Sequence, residues 1–364
     1  IVMKMSSTGN MRYSHDGGSS FSASTDPSDA GDVTGHTLAS TAATSTIWTA
    51  DMADDFFSPR VLKSADGGTS FVDATAGTGV SFVPTAVGMS SDGSTVVFCA
   101  AACRYSTNGG ETWADSTISG SLGAAYDIEF VSATGFYIVD QGETDSFGYS
   151  VNGGANIFMV SPSGTGTWPT ASDIKAIAPS QTASSTTVLG FDATPENRST
   201  TNDFTSVTTP TGLGAVAVRD AECTDTNCVA GTSAGTYYST NGGTSWTQAT
   251  ISGGGAMSRA TNAVTMVGTD TAYAALEGDG TDARIYRSTD GGATWTLVHT
   301  LVSNSSFTSI DCASATVCWA LAIKIVFGGT SAVFGTTDGT TWASQLSIGG
   351  GVQVTPAQRP GTLA

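Results

Sequence analysis

The sequence predicts an all-β protein, a single β-propeller domain over residues 1–364 built of four-stranded antiparallel blades. Three observations carry this reading: a recurring phrase, its spacing, and the residue types around it. The phrase reads YSHDGGSSF at 13–21, KSADGGTSF at 63–71, YSTNGGETW at 105–113, YSTNGGTSW at 238–246 and RSTDGGATW at 287–295. YSVNGGANI at 149–157, TTNDFTSV at 200–207 and TTDGTTW at 336–342 are degenerate copies. The acid or amide positions are Asp16, Asp66, Asn108, Asn152, Asn202, Asn241, Asp290 and Asp338, in steps of 39 to 50 residues. A fixed phrase at that period marks one supersecondary unit used repeatedly, and a four-stranded sheet with its turns fits the length. Thr, Ser, Val, Gly and aromatics dominate the repeats, which favours strands and turns over helices. Eight blades are the favoured count and seven the alternative.

Each element of the phrase has a physical task. Gly-Gly supplies the positive φ that a tight hairpin demands. The preceding Asp or Asn accepts hydrogen bonds from turn N–H groups. The Ser or Thr before it offers a hydroxyl to the same turn, and the closing Trp or Phe packs on the blade. These are folding needs, so the phrases read as structural elements. In the last repeat the four strands are expected at Phe307–Cys312, Val317–Lys324, Ala332–Thr336 and Trp342–Leu346.

The pattern S-x-[DN]-G-G-x-[TS]-[WF] resembles the Asp-box, or BNR repeat, found in sialidases, sortilin-type receptors, xyloglucan-cleaving glucanases and photosystem II assembly factors. The resemblance extends over nearly the whole chain. It implies that each box lies at the turn between the third and fourth strands of a blade. It also implies that the loops between second and third strands, and the connectors between blades, share the opposite, ligand-bearing face. That fold hosts both enzymes and binders.

Thirteen basic residues against 31 acidic ones give a net charge of −18. Such a surface argues against nucleic acid and against anionic membranes. No apolar run reaches the length of a membrane span, so no membrane insertion is expected. The first residue is Ile1, which fits a removed signal peptide or a trimmed chain. Six cysteines fall into three close pairs, Cys99/Cys103, Cys223/Cys228 and Cys312/Cys318. The last two pairs read as strand, short turn, strand, and CAAAC at 99–103 bridges second and third strands. Disulfides are expected, and with them an extracellular or cell-surface location. The spacing does not suit zinc, and His15, His36 and His299 stand apart. Asn197 and Asn304 head glycosylation sequons.

On the expected ligand face, Asp54, Asp55, Glu143, Asp145, Asp279 and Asp282 come from three loops, TPEN adds Glu196, and EGDGTD adds Glu277. Carboxylates beside glycines suit Ca²⁺, so this rim is a candidate cation or basic-partner site, though acidic surface loops are also ordinary in so acidic a chain. No resident cofactor is otherwise expected.

A sialidase-type site needs three arginines on inner strands; only Arg219 falls on a first strand, with Arg259 just before one. Arg12, Arg104 and Arg287 lie on third strands. No catalytic residue is assigned. The expected function is therefore a non-catalytic binding or scaffolding module with a glycan or extracellular protein ligand. The alternatives are a glycoside hydrolase and a structural subunit of an extracellular assembly. Finally, residues 2–13 are expected to supply one strand before the first box. The β-compatible Val352–Thr355 is expected to pair with this N-terminal hairpin and close the ring, and the same terminal strands are candidates for self-assembly.

Overall fold

A computed structural model describes residues 2–4, 11–16, 20–25, 38–40, 44–52, 59–140, 147–160, 174–178, 188–192, 198–200, 209–214, 216–302, 305–324 and 331–348. The chain forms two compact units, one chiefly from residues 1–161 and the other from 173–352. Nearly all its regular structure is strand; the one described helix is a single turn, Thr75–Thr78.

In the first unit the sheets follow one another along the chain. Leu38–Ser40, Ile47–Met52, Pro59–Ser64 and Val72–Asp73 make an antiparallel four-stranded sheet in sequence order. Ala86–Met89, Val96–Cys99, Cys103–Ser106 and Ala114–Asp115 make the next, and Ala125–Phe130, Phe136–Asp140, Phe147–Ser150 and Asn156–Val160 the one after. The N-terminal segment differs from expectation. Residues 2–13 hold two short antiparallel strands, Val2–Lys4 and Met11–Tyr13, with Val2 opposite Tyr13. With Ser22–Ala23 they form a sheet of three described strands. The tail Val352–Thr355, on which the expected ring closure depends, lies outside the described residues.

The second unit repeats the plan. Its first sheet has three described strands, Ile174–Ile177, Val188–Asp192 and Arg198–Thr200. Val218–Thr224, Asn227–Thr232, Gly235–Ser239 and Thr247–Gln248 follow, then Thr261–Val267, Thr271–Leu276, Asp282–Ser288 and Thr294–Val302. The last sheet is Ser305–Cys312, Cys318–Lys324, Ser331–Thr336 and Ala343–Ile348, close to the four strands expected from sequence.

The cores lie between consecutive sheets. Val97, Cys99 and Tyr105 of one sheet meet Ile128, Phe136 and Ile138 of the next. Tyr273, Ile285 and Ala275 similarly meet Phe307, Ala320 and Trp342. Small residues on the first two strands let neighbouring sheets approach: a Cβ on Gly88 would sit 2.5 Å from the Ile128 side chain. The second strands Val96–Cys99 and Phe136–Asp140 are buried at every position, which is why they read as apolar runs, broken only by Asp140 at the end of the second.

Three disulfides join Cys99 to Cys103, Cys223 to Cys228 and Cys312 to Cys318. Each links directly opposed residues of adjacent antiparallel strands, the first pair between second and third strands and the others between first and second. No cysteine is free.

Candidate functional site

The boxes form a hydrogen-bonded turn between third and fourth strands. In the best-formed copy Ser288 Oγ donates to Asp290 Oδ1 at 2.7 Å and accepts from Gly292 N–H at 3.0 Å. Asp290 Oδ1 also accepts from Thr294 N–H at 2.8 Å, and Trp295 Nε1–H donates to Gly292 O at 2.7 Å. Gly291 and Gly292 hold φ of 71° and 91°, values closed to most side chains. The same serine, acid or amide and turn N–H bonds recur at Asp66, Asn108, Asn152 and Asn241. Asp16 and Asp338 keep the bonds between carboxylate, hydroxyl and turn N–H. Asn202 lies outside the described residues. Hydroxyl donation by Ser20 and Ser70, with the backbone N–H bonds of the same residues, holds Asp16 and Asp66 down to a pKa of about 2.

The boxes share one end of the sheets with the turns between first and second strands. Gly67, Gly109, Gly153, Gly242 and Gly291 each donate a backbone N–H to such a turn, at 2.7 to 2.9 Å. One of those turns, SSDGS at 90–94, copies the box device: Ser90 Oγ donates to Asp92 Oδ1 at 2.7 Å, and Ser94 N–H donates to the same oxygen at 3.0 Å. The sequence pattern S-x-D-G was there to be read.

The opposite end of the second unit carries a different device. The first strands Val218–Thr224 and Thr261–Val267 are bulged, each carrying one extra residue, Arg219 and Asn262. A bulge re-aims the extra side chain out of the ladder. Arg219 donates to Asn262 Oδ1 and to Glu277 Oε2, the latter at 2.5 Å. Asn262 Nδ2 donates to Phe307 O at 2.7 Å and Ser306 Oγ at 3.1 Å, so the chain of bonds crosses three sheets.

Beside it, Arg259 Nε donates to Glu277 O at 2.9 Å, and its Nη1 lies 2.5 Å from Asp282 Oδ1 and 3.4 Å from Asp279 Oδ2. Arg284 Nη2 takes the other Asp282 oxygen at 2.9 Å. The Arg259 and Arg284 donors hold the Asp282 carboxyl below the usual range, and the Thr281 hydroxyl with two backbone N–H groups does so for Asp279.

Of the six expected rim residues, the structure places Asp279 and Asp282 together, tied to arginine. Asp54, Asp55, Glu143 and Asp145 lie outside the described residues, as do Glu196, Asn197 and Asn304. Among the described residues no three His, Cys, Asp or Glu side chains gather as a metal site. The sequence reading noted Arg219, Arg259 and Glu277 but missed Asn262, because a bulge in a regular apolar strand leaves no composition signal.

The repeat at residues 286–297 matches the BNR/Asp-box repeat model. Among solved structures, Sqt1 of Saccharomyces cerevisiae aligns at 11% identity and a TM-score of 0.58, covering 90% of this chain and 88% of its own. YCF48 bound to D1 peptide aligns at 13% identity and a TM-score of 0.53, covering 80% and 89%. A GH74 enzyme of Niastella koreensis covers 94% of this chain and 71% of its own at 13% identity, with a TM-score of only 0.37. No curated protein matches at the level of sequence. The chain is thus built of BNR/Asp-box repeats and has the all-β, propeller-type fold. Three disulfides suggest an oxidising environment, and among the described residues no helix is long and apolar enough to cross a membrane.

Proposed function

We propose that this chain is a non-catalytic binding module of the extracellular space or cell surface, and that it takes a protein ligand at the end of the sheets opposite the boxes. The observation that carries this reading is the relay from Arg219 through Asn262 to Phe307 O, which holds polar groups of three sheets in one fixed arrangement. Preorganised polar groups on a rigid sheet end lower the ordering cost of binding. The acids there are bound into arginine pairs with Asp279 and Asp282 ionised. A general acid needs the reverse, a carboxyl held protonated near neutral pH. The charge of −18 favours a partner with basic groups. That YCF48 is seen bound to a peptide supports a protein ligand over a glycan on a related fold.

The test sets three probes against the intact, disulfide-bonded protein: a displayed random-peptide library, a glycan array and chromogenic glycosides. Enrichment of peptides whose binding is lost in Asn262→Ala is the expected result. Turnover of a glycoside, abolished in Glu277→Gln or Asp282→Asn, would assign the chain to the glycoside hydrolases instead.

A further inference from the structure

Connectors between sheets are not bare linkers. After its sheet ends, the chain lays a threonine parallel to the box of the next sheet, four times over. Thr25 bridges Ser70, Thr117 pairs with Asn156, Thr211 bridges Ser245 and Thr250 pairs with Thr294. The bonds are repeated too. Thr25, Thr117, Thr211 and Thr250 N–H donate to Thr69, Ala155, Thr244 and Ala293 O at 3.0 to 3.1 Å. The box aromatics Phe71 and Trp246 donate their N–H back to Thr25 O and Thr211 O, at 2.7 and 2.8 Å. Two of these connectors share the sequence TISG, at 117–120 and 250–253. Their isoleucines, Ile118 and Ile251, pack on the adjoining cores.

Among the described residues neither the 105–113 box nor the box of the last sheet has this strand. The fourth strand preceding the last sheet, Thr294–Val302, runs nine residues and the chain passes from its far end to Ser305, the start of the last sheet. No connector therefore returns to the box at 336–342. Among the described residues, Thr340 O and Trp342 N–H, the counterparts of Ala293 O and Trp295 N–H, have no backbone partner. A cleft opens there, lined by Arg287, Asp290, Thr294, Thr296, Val298 and Thr340. The indole Nε1–H of Trp342 is also orphaned, though the side chain is only 7% exposed. Trp342 is buried and Thr340 exposed, so an added strand would give a partner to the two edge groups that the other boxes pair with a connector.

We propose that this cleft binds an extended segment of a partner protein of the type Thr-Ile-Ser-Gly, added parallel to the last box. The threonine N–H donates to Thr340 O, its carbonyl accepts from Trp342 N–H, and the isoleucine enters the cleft beside Val298. The threonine is specified by the chain's own solution to the same slot in four other sheets, and the Ile-Ser-Gly after it by two of them. The site lies at the box end and is separate from the Arg219–Asn262 relay, so either proposal can fail alone.

The probe is the synthetic peptide QATISGG, the sequence of residues 248–254, added at millimolar concentration to the intact protein. Amide hydrogen exchange at Trp342 is the readout, with the amides of Asn262 and Glu277 as controls. Exchange at Trp342 is expected to slow by about tenfold or more, the equivalent of one added hydrogen bond of about 1.4 kcal/mol. The same peptide N-methylated at threonine, which lacks the donor, is expected to give no protection. Unchanged Trp342 exchange, or equal protection by the methylated peptide, would overturn the proposal. Sedimentation of the protein alone as a dimer that QATISGG converts to monomer would show that a second copy, not a foreign partner, fills the cleft.

Discussion

The Asp220 carboxylate accepts a hydrogen bond from Val264 N–H at 2.9 Å, tying the first strand of one sheet to the first strand of the next. Two residues on, Glu222 Oε2 does the same for Met266 N–H at 3.1 Å. Ladder bonds hold each sheet together internally; these two carboxylates stitch neighbouring sheets along their first strands. Asp220 is 7% exposed, so removing it leaves a buried donor without a partner. Asp220→Ala is expected to destabilise the protein by about 1–3 kcal/mol, read by denaturant unfolding. A loss within experimental error of zero would show that the stitch adds nothing.

The boxes make stability depend on acid. Asp16 and Asp66 have pKa values of about 2 in the folded chain, against about 3.9 for an unperturbed aspartate. Their folded-state pKa is depressed, so their contribution is fully present above pH about 4 and is lost as pH falls toward 2. The unfolding midpoint in urea is expected to stay level from pH 7 to 5 and to drop steeply below pH about 4. A level midpoint down to pH 2 would contradict this.

Box tryptophans differ in what they hold. Trp295 Nε1–H donates to Gly292 O at 2.7 Å, whereas the last box is one residue shorter, with no counterpart of Gly292, and Trp342 Nε1–H has no partner among the described residues. Replacing either with Phe removes similar apolar area, but only Trp295→Phe also breaks a hydrogen bond. Trp295→Phe is therefore expected to cost about 1 kcal/mol more than Trp342→Phe by thermal or urea unfolding. Equal costs would show that the Nε1–Gly292 bond carries no weight.

The disulfides close loops spanning only four to six positions. Each is expected to add about 2 kcal/mol through the unfolded state in the chain-entropy model. Replacing the 312–318 pair with alanines is expected to lower stability by that order while the sheets persist by circular dichroism. Peptide mapping without reduction is expected to return each pair within one short fragment; a link between distant repeats would contradict the assigned pairing.

Much of the fold was legible because the box is local. Ser288, Asp290 and the two glycines make nearly all their turn bonds to each other, so the phrase carries its own structure. The strands of the last sheet were placed closely for the same reason, being bracketed by Cys312, Cys318 and the box. The N-terminal strand pair was missed because three-residue strands are too short to show a period. The site was legible only in part. Arg219 and Arg259 stood out as charges beside apolar strands, but their partner Asn262 reaches Arg219 through a bulge. Such a register shift depends on what the neighbouring strand offers, which no local window contains. The pairing of the connectors was not legible because their partners lie distant in sequence, 44 residues on for Thr250 and Thr294.

The proposed role of the relay end of the sheets is to bind a protein ligand without performing chemistry. The most direct measurement is calorimetric titration of a peptide enriched by library selection into the wild type and into Asn262→Ala, with melting curves confirming that both are folded. The relay predicts binding to the wild type and affinity weaker by about tenfold or more in the variant, the loss of one or two preorganised hydrogen bonds. Equal affinity for the two proteins, or glycoside turnover that disappears in Glu277→Gln, would contradict it.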